Sequence, residues 1–295
     1  MKDELRHGRW LITGGRGSLG TALREELAAC GAVVMAADLP ELDITDASKV
    51  SAAVDAFKPD CLVNCAALTD VDACELREAE AMRINADAPG FIAGLCRNRG
   101  VKFVHISTDY VFDGSSRRPY REDDPVGPES EYGRSKLAGE RKVAAADPGT
   151  LIVRTAWLYG AGKSFAKAIA ARARRGEAVT VVCDQHGAPT SASDLSRAIV
   201  ELVVREASGV VHFANSGQTT WYDVARMVVK SLGLDVEVKP VTTGEYLASR
   251  VTTGVVTAKR PAYSVLDTSQ YARMTGAPPR PWQIPFETYL RALPG

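Results

Sequence analysis

The 295-residue chain is 45% hydrophobic and 24% charged, an ordinary globular composition with room for one α/β domain and an appended lobe, or for two modest domains. Lys+Arg and Asp+Glu both number 36, so no surplus of positive charge draws the chain to nucleic acid or anionic lipid. No apolar run is long enough to cross a bilayer, and neither the six cysteines, which form no CxxC pair, nor the four dispersed histidines show zinc-ligand spacing.

The polar opening, "MKDELRHGRW", lacks the apolar core of a signal peptide, and with free thiols it points to the cytoplasm. "RWLITGG" (9–15) reads as a strand running into a glycine turn. A helix follows, with Leu19, Leu23 and Leu27 on one face and Gly31 as its stop. "AVVMAAD" (32–38) is a second strand, and the next helix, capped by Asp46, turns Val50, Val54 and Phe57 inward. "CLVNCAA" (61–67) is a third strand, followed by one long helical stretch from Ala73 to Arg99. "VKFVHIST" (101–108) is the fourth strand, "YGRSKLAGERKVAAA" (132–146) the next helix and "TLIVRTAW" (150–157) the fifth strand.

Strands that are apolar on both faces and separated by helices indicate a parallel sheet covered on both sides. The expected fold is α/β: a Rossmann-like doubly wound parallel sheet over residues 1–155, with a smaller C-terminal substrate lobe over 156–295. Segments within 178–215 are expected to return to the main sheet.

Three features carry chemistry. "TGGRGSLG" places Gly14, Gly17 and Gly20 between the first strand and first helix, where a backbone without side chains can approach a diphosphate and the helix N-terminus offers free N–H groups. Turn-making alone would also explain such glycines; the strand–turn–helix setting favours a dinucleotide. Asp38 ends the second strand at the distance expected for a ribose contact, with an ordinary strand-end turn as the alternative, and Asp43 is a second candidate near the adenine. Tyr132 and Lys136, four apart, share a helix face. An ammonium there stabilises a phenolate, and the phenol can protonate a carbonyl as hydride arrives from a nicotinamide. A packed tyrosine beside a solvated lysine would give the same spacing.

In this order, the glycine loop, the fourth strand ending in Ser107-Thr108 and the YxxxK helix resemble the short-chain dehydrogenase/reductase superfamily, in its extended branch acting on sugar nucleotides. "VNCAALTDVDACE", "STDYVFDG", "YGRSKLAGE", "RTAWLYG", "DQHGAPT" and "RPAYSVLD" are similar to hallmarks of the dTDP-4-dehydrorhamnose reductase family and span nearly the whole chain. The resemblance implies NAD(P)H-dependent reduction of the 4-keto group of a dTDP-4-dehydro-6-deoxy-sugar, with dTDP-L-rhamnose as product. It makes Thr108 the partner of the reacting carbonyl, Tyr132 the acid and Tyr110 a structural or pocket-lining residue. By the same resemblance, nucleotide contacts fall on Gly17, Ser18, Leu19, Asp43, Ile44, Ala67, Leu68, Thr69 and Lys136, and sugar contacts on Thr108, Asp109, Tyr132 and Trp157. An indole suits the apolar face of a deoxysugar.

The resemblance also implies Mg2+ and a homodimer, although no carboxylate cluster in the sequence calls for a metal. "ADLPELD" lacks the basic residue often found after the second strand, which favours NADH with NADPH as the alternative. Leu68 stands where the family often has a polar residue. A dehydratase needs Asp-Glu after the threonine, and Tyr110 in place of Glu argues against one. A sister NDP-keto-sugar reductase of a specialised pathway and a non-catalytic NAD(P)-binding regulatory subunit are the remaining alternatives; intact Thr108, Tyr132 and Lys136 argue against the latter.

Overall fold

The computed structural model describes residues 7–251 and 256–293, so the polar opening (1–6) and the last residues of the predicted substrate lobe lie outside it. Five parallel strands follow one another in the first half: β1 (Arg9–Thr13), β2 (Val33–Ala37), β3 (Cys61–Asn64), β4 (Lys102–Thr108) and β5 (Leu151–Thr155). With Gly209–His212 they form a six-stranded sheet in the order Gly209–His212, β5, β4, β3, β1, β2. All residues of β3 and β5 are buried, so neither segment shows the apolar–polar alternation of a strand with one face in water.

The helices Ser18–Ala29 and Ala192–Val204 cover one face, packing Leu23, Leu27, Leu195 and Ile199 into a common core. The helices Ala47–Phe57, Ala88–Arg99 and Glu131–Ala146 cover the other through Val50, Val54, Ile92 and Val143. β1 pairs with β2 on one side and β3 on the other. The winding therefore reverses at β1, and the loops leaving β1 and β3 part to open a crevice at the carboxyl edge.

Two expectations need correction. The sequence pattern predicts one helix from Ala73 to Arg99, but the chain forms Val71–Leu76, Glu78–Met82, a wider π-type turn at Arg83–Asp87 and then Ala88–Arg99. Arg77, at φ −133°, interrupts the first turn, and the π-type turn places buried Asn85 against the Glu131–Ala146 helix. A Cβ at Gly139 of that helix would collide with the Asn85 carbonyl, so the close approach requires glycine. Of the 178–215 span, Gly209–His212 joins the main sheet beside β5. Val179–Val182 pairs instead with Val238–Val241, under the helices Phe165–Arg174 and Trp221–Ser231, with Ile169, Val179, Val228 and Phe286 in that core.

The Glu131–Ala146 helix is fastened to the sheet by a buried ion pair. Arg154, in the middle of β5, donates to Glu140 from Nη2 (2.7 Å) and Nε (2.9 Å), while Ser107 of β4 donates to the same carboxylate (2.5 Å). Both charged side chains are about 5% exposed. Charges buried this far stabilise only while paired. Arg154→Met is expected to cost about 3–5 kcal/mol by stranding the Glu140 carboxylate. Adding Glu140→Leu should recover most of that loss, as read from urea midpoints at unchanged slope.

Candidate active site

The glycine loop is shaped by close approach. Gly14 takes φ +67°, and a Cβ there would lie 2.6 Å from the Ala66 nitrogen at the end of β3. A Cβ at Gly20 would collide with the Gly14 carbonyl. Gly17 caps the Ser18–Ala29 helix without any side-chain hydrogen bond, so the first-turn N–H groups of Ser18, Leu19 and Gly20 are left to a ligand. Such a side-chain-free cradle at a helix N-terminus, set in the crevice between β1 and β3, fits the diphosphate of a dinucleotide.

At the far end of the loop, the Asp38 carboxylate accepts from the N–H groups of Arg16 (2.9 Å) and Leu39 (2.9 Å). The Arg16 guanidinium reaches the Leu39 carbonyl (2.5 Å) and Glu41 (2.6 Å). Arg16 is therefore a cation beside Asp38, supplied by the glycine loop and overlooked when only the residues after Asp38 are read. Asp43 accepts from the N–H (2.9 Å) and hydroxyl (2.8 Å) of Thr45, bonds that hold its carboxyl below the usual range. Ile44 is buried in the core beside the Ala47–Phe57 helix.

The loop after β3 is clamped by Asn85. Its amide accepts from the Leu68 N–H (2.8 Å) and donates to the Leu68 carbonyl (3.0 Å) and the Ser135 hydroxyl (3.0 Å). This fully buried asparagine was not singled out by sequence, because Arg83 and Asp87 flank it in "RINADAPGF" and only packing shows which of the three polar residues is buried.

A cleft of about 400 Å³ opens beside these loops. Gly14, Gly17, Ser18, Leu19, Gly20, Ala67, Thr69, Thr108, Asp109, Tyr132, Lys136 and Trp157 all line it. Asp38, Asp43, Ile44 and Leu68 lie outside its wall. Tyr110 lines it too, its ring edge-on to that of Tyr132 at 5.4 Å between centroids.

Thr108 ends β4 and donates to Asp109 (2.9 Å). Tyr132 sits in the first turn of its helix, behind a Ser130 cap. Burial pushes the Tyr132 phenol up; the Thr108 hydroxyl beside it pulls the other way, and the Asp109 charge adds to the rise. Lys136, one turn on and 2% exposed, donates to the Ile106 carbonyl (2.6 Å) and faces His105 Nε2 at 3.4 Å. Burial brings its pKa down to about 8, opposed by Glu140. Asp109 is 2% exposed and one carboxylate oxygen has no hydrogen-bond partner. Desolvation pushes it up to about 6, against the hydroxyls of Ser264 and Thr108.

Trp157 adopts φ +47°, and its indole stacks on Trp221 at 3.7 Å between centroids. A Cβ at Gly187 would collide with the same indole, so "DQHGAPT" supplies the space that seats Trp157. Trp221 and Lys163 also line the cleft. Neither is identifiable from sequence: Trp221 reads as the start of an amphipathic helix, and only the packing of the two lobes brings it to Trp157. Among the described residues no three His, Cys, Asp or Glu side chains gather as a metal site.

Comparison with known proteins shows the family of the chain. The family model described as RmlD substrate binding domain matches residues 8–294. A dTDP-4-keto-6-deoxy-D-glucose reductase of Streptomyces niveus is 43% identical, over 93% of this chain and 93% of its own. A dTDP-4-dehydrorhamnose reductase of Streptomyces griseus is 43% identical, over 97% of this chain and 94% of its own. The crystal structure of dTDP-4-dehydrorhamnose reductase from Bacillus anthracis in complex with NADP superposes with TM-score 0.88 at 35% identity, covering 96% of this chain and 97% of that one.

The raised Asp109 pKa has a consequence for stability. The folded state binds this proton more tightly than the unfolded chain, so the contribution is full below about pH 4 and is lost as pH rises through 6. Asp109→Asn is expected to stabilise the cofactor-free protein at pH 7.5, on the order of 3 kcal/mol, and to change little at pH 4. Urea unfolding at the two pH values measures the difference.

Proposed function

The chain belongs to the dTDP-4-dehydrorhamnose reductase family, and we propose that it reduces the 4-keto group of a dTDP-4-dehydro-6-deoxy-sugar, taking dTDP-4-dehydrorhamnose to dTDP-L-rhamnose. The observation that carries this reading is the single cleft in which Thr108, Tyr132 and Lys136 meet the glycine loop. Reduced nicotinamide, when bound, supplies the hydride. Burial keeps the Tyr132 phenol protonated at neutral pH, loaded as the acid that gives its proton to the C4 oxygen. The Thr108 hydroxyl holds that oxygen beside the phenol. The Lys136 ammonium, one helical turn away, compensates the phenolate left after transfer. The Trp157–Trp221 pair walls the cleft and keeps water from the exchange. A reducing cytoplasm suits this chemistry and the six unpaired thiols.

Steady-state turnover of dTDP-4-keto-6-deoxyglucose, with and without a 3,5-epimerase, tests the substrate. Turnover that needs the epimerase supports the rhamnose reading. The Streptomyces niveus relative favours a second reading, direct reduction of the unepimerised sugar, and turnover without epimerase would establish that instead. Tyr132→Phe should lose about 10²–10⁴-fold in kcat while cofactor affinity holds. Tyr110→Phe should cost far less, and equal losses would overturn Tyr132 as the acid.

For the cofactor we infer a preference for NADH. Asp38 and Glu41 both stand at the turn after β2, and Arg16 is already committed to Glu41 and the Leu39 carbonyl. A 2′-phosphate would bring about −2 charge toward those carboxylates. Freeing the guanidinium by Glu41→Gln is expected to raise kcat/KM for NADPH severalfold and leave NADH unchanged. A native preference for NADPH would overturn the inference.

A further inference from the structure

Behind the cleft, a row of polar side chains crosses three neighbouring strands of the sheet. Thr13 of β1 is the register partner of Asn64 on β3, and Asn64 that of His105 on β4, so all three project on one face. Each is at most 1% exposed. The Thr13 hydroxyl lies 2.5 Å from Asn64 Oδ1, Asn64 Nδ2 3.3 Å from His105 Nδ1, and His105 Nε2 3.4 Å from Lys136 Nζ. Polar groups buried in a sheet core cost stability unless each finds a partner, and here each does. The row ends on the lysine of the reaction cleft.

Burial, followed by the Lys136 charge, holds His105 far below the usual imidazole range, so the ring is neutral, with one donor and one acceptor. An ammonium has no lone pair to offer. Facing it, Nε2 must accept, and the ring proton must sit on Nδ1, turned to Asn64. In the structure the Thr13 hydroxyl donates to the Asn64 oxygen and the Asn64 NH2 faces His105 Nδ1. A half-turn of that amide exchanges its oxygen and nitrogen at nearly the same positions, and its oxygen then accepts from Nδ1–H while its NH2 donates to Thr13.

We propose that His105 is a positioning residue for Lys136, its Nε2 accepting one ammonium proton while the Ile106 carbonyl takes a second, so that the third is left for the cleft. Asn64 and Thr13 hold the imidazole in the tautomer that can accept. This rests on the reading of Lys136 as part of the catalytic set. Burial works against the ammonium, whose pKa is brought down to about 8. Of the other titratable groups facing it, Glu140 on its own helix and Cys65 after β3 oppose that fall, and Tyr132 lies one turn before it. His105 adds the hydrogen bond that keeps the charge in place and aimed.

Losing an acceptor from an ammonium lowers its pKa, so the form that binds ribose and supports Tyr132 disappears at lower pH. In His105→Phe the alkaline limb of the kcat/KM profile should move down by about one pH unit or more, the worth of one charge-assisted hydrogen bond. Cofactor Kd should match the native protein at pH 6 and be weaker at pH 9. His105→Gln, whose amide oxygen can accept, should return the limb toward its native position. A limb unmoved in His105→Phe, with activity lost equally at every pH, would make His105 a packing residue and overturn the proposal. Ring-¹⁵N-labelled native protein needs no substitution to fold: a neutral His105 with its proton on Nδ1 between pH 6 and 7 is expected, and a proton on Nε2 would overturn the proposal. If no dTDP-keto-sugar is turned over, the reading of function fails, while the NMR spectrum and the pH dependence of cofactor binding still judge His105.

Discussion

The Glu140 carboxylate is the contact on which the geometry of the cleft depends. It lies two turns along the helix from Tyr132 and one from Lys136, on the same face. Its partners are Ser107, which precedes Thr108 on β4, and Arg154, in β5 just before Thr155 and Trp157. One buried anion therefore ties the helix that carries the proton donor to both strands whose ends carry the carbonyl partner and the aromatic wall. Arg154 is closed in by the Phe112 ring at 5.1 Å, so neither charge can regain water without opening the core. Such a bond adds little net stability over an apolar pair; what it adds is registration of helix against sheet.

A single cause, desolvation, sets the electrostatics of the cleft. It pushes the phenol of Tyr132 up, the ammonium of Lys136 down to about 8 and the carboxyl of Asp109 up to about 6. Each group moves toward its neutral form. For a reductase this is the useful direction for tyrosine, since the acid must be protonated when the carbonyl arrives. For the lysine it is a liability, and Glu140, the Ile106 carbonyl and the polar row behind it oppose the loss. The Asn85 clamp acts at the other border of the cleft, tying Leu68 of the loop after β3 to Ser135 of the Glu131–Ala146 helix.

Much of this was legible in the sequence, for local reasons. A glycine loop between strand and helix, strands apolar on both faces, and a tyrosine four residues before a lysine are patterns whose geometry follows from the periods of helix and strand. The doubly wound sheet and the residues gathered at its carboxyl edge follow from those periods. Where an expectation failed, a longer-range contact overrode the local pattern. The run from Ala73 to Arg99 has helical periodicity throughout, yet Asn85 must reach Leu68 and Ser135, and a π-type turn supplies the extra residue. Val179–Val182 looks like any other core strand and took Val238–Val241 as its partner.

Sequence by itself determined the fold class, the glycine cradle and the Tyr132–Lys136 face, because each is written in spacings of a few residues. Tertiary structure alone decided that Arg16 swings to Glu41, that Trp221 stacks on Trp157 from 64 residues away in the chain, and that His105 backs Lys136. It also decided every protonation tendency in the cleft. Burial and through-space partners set those quantities, and both come into being only when the strands and lobes close over one another.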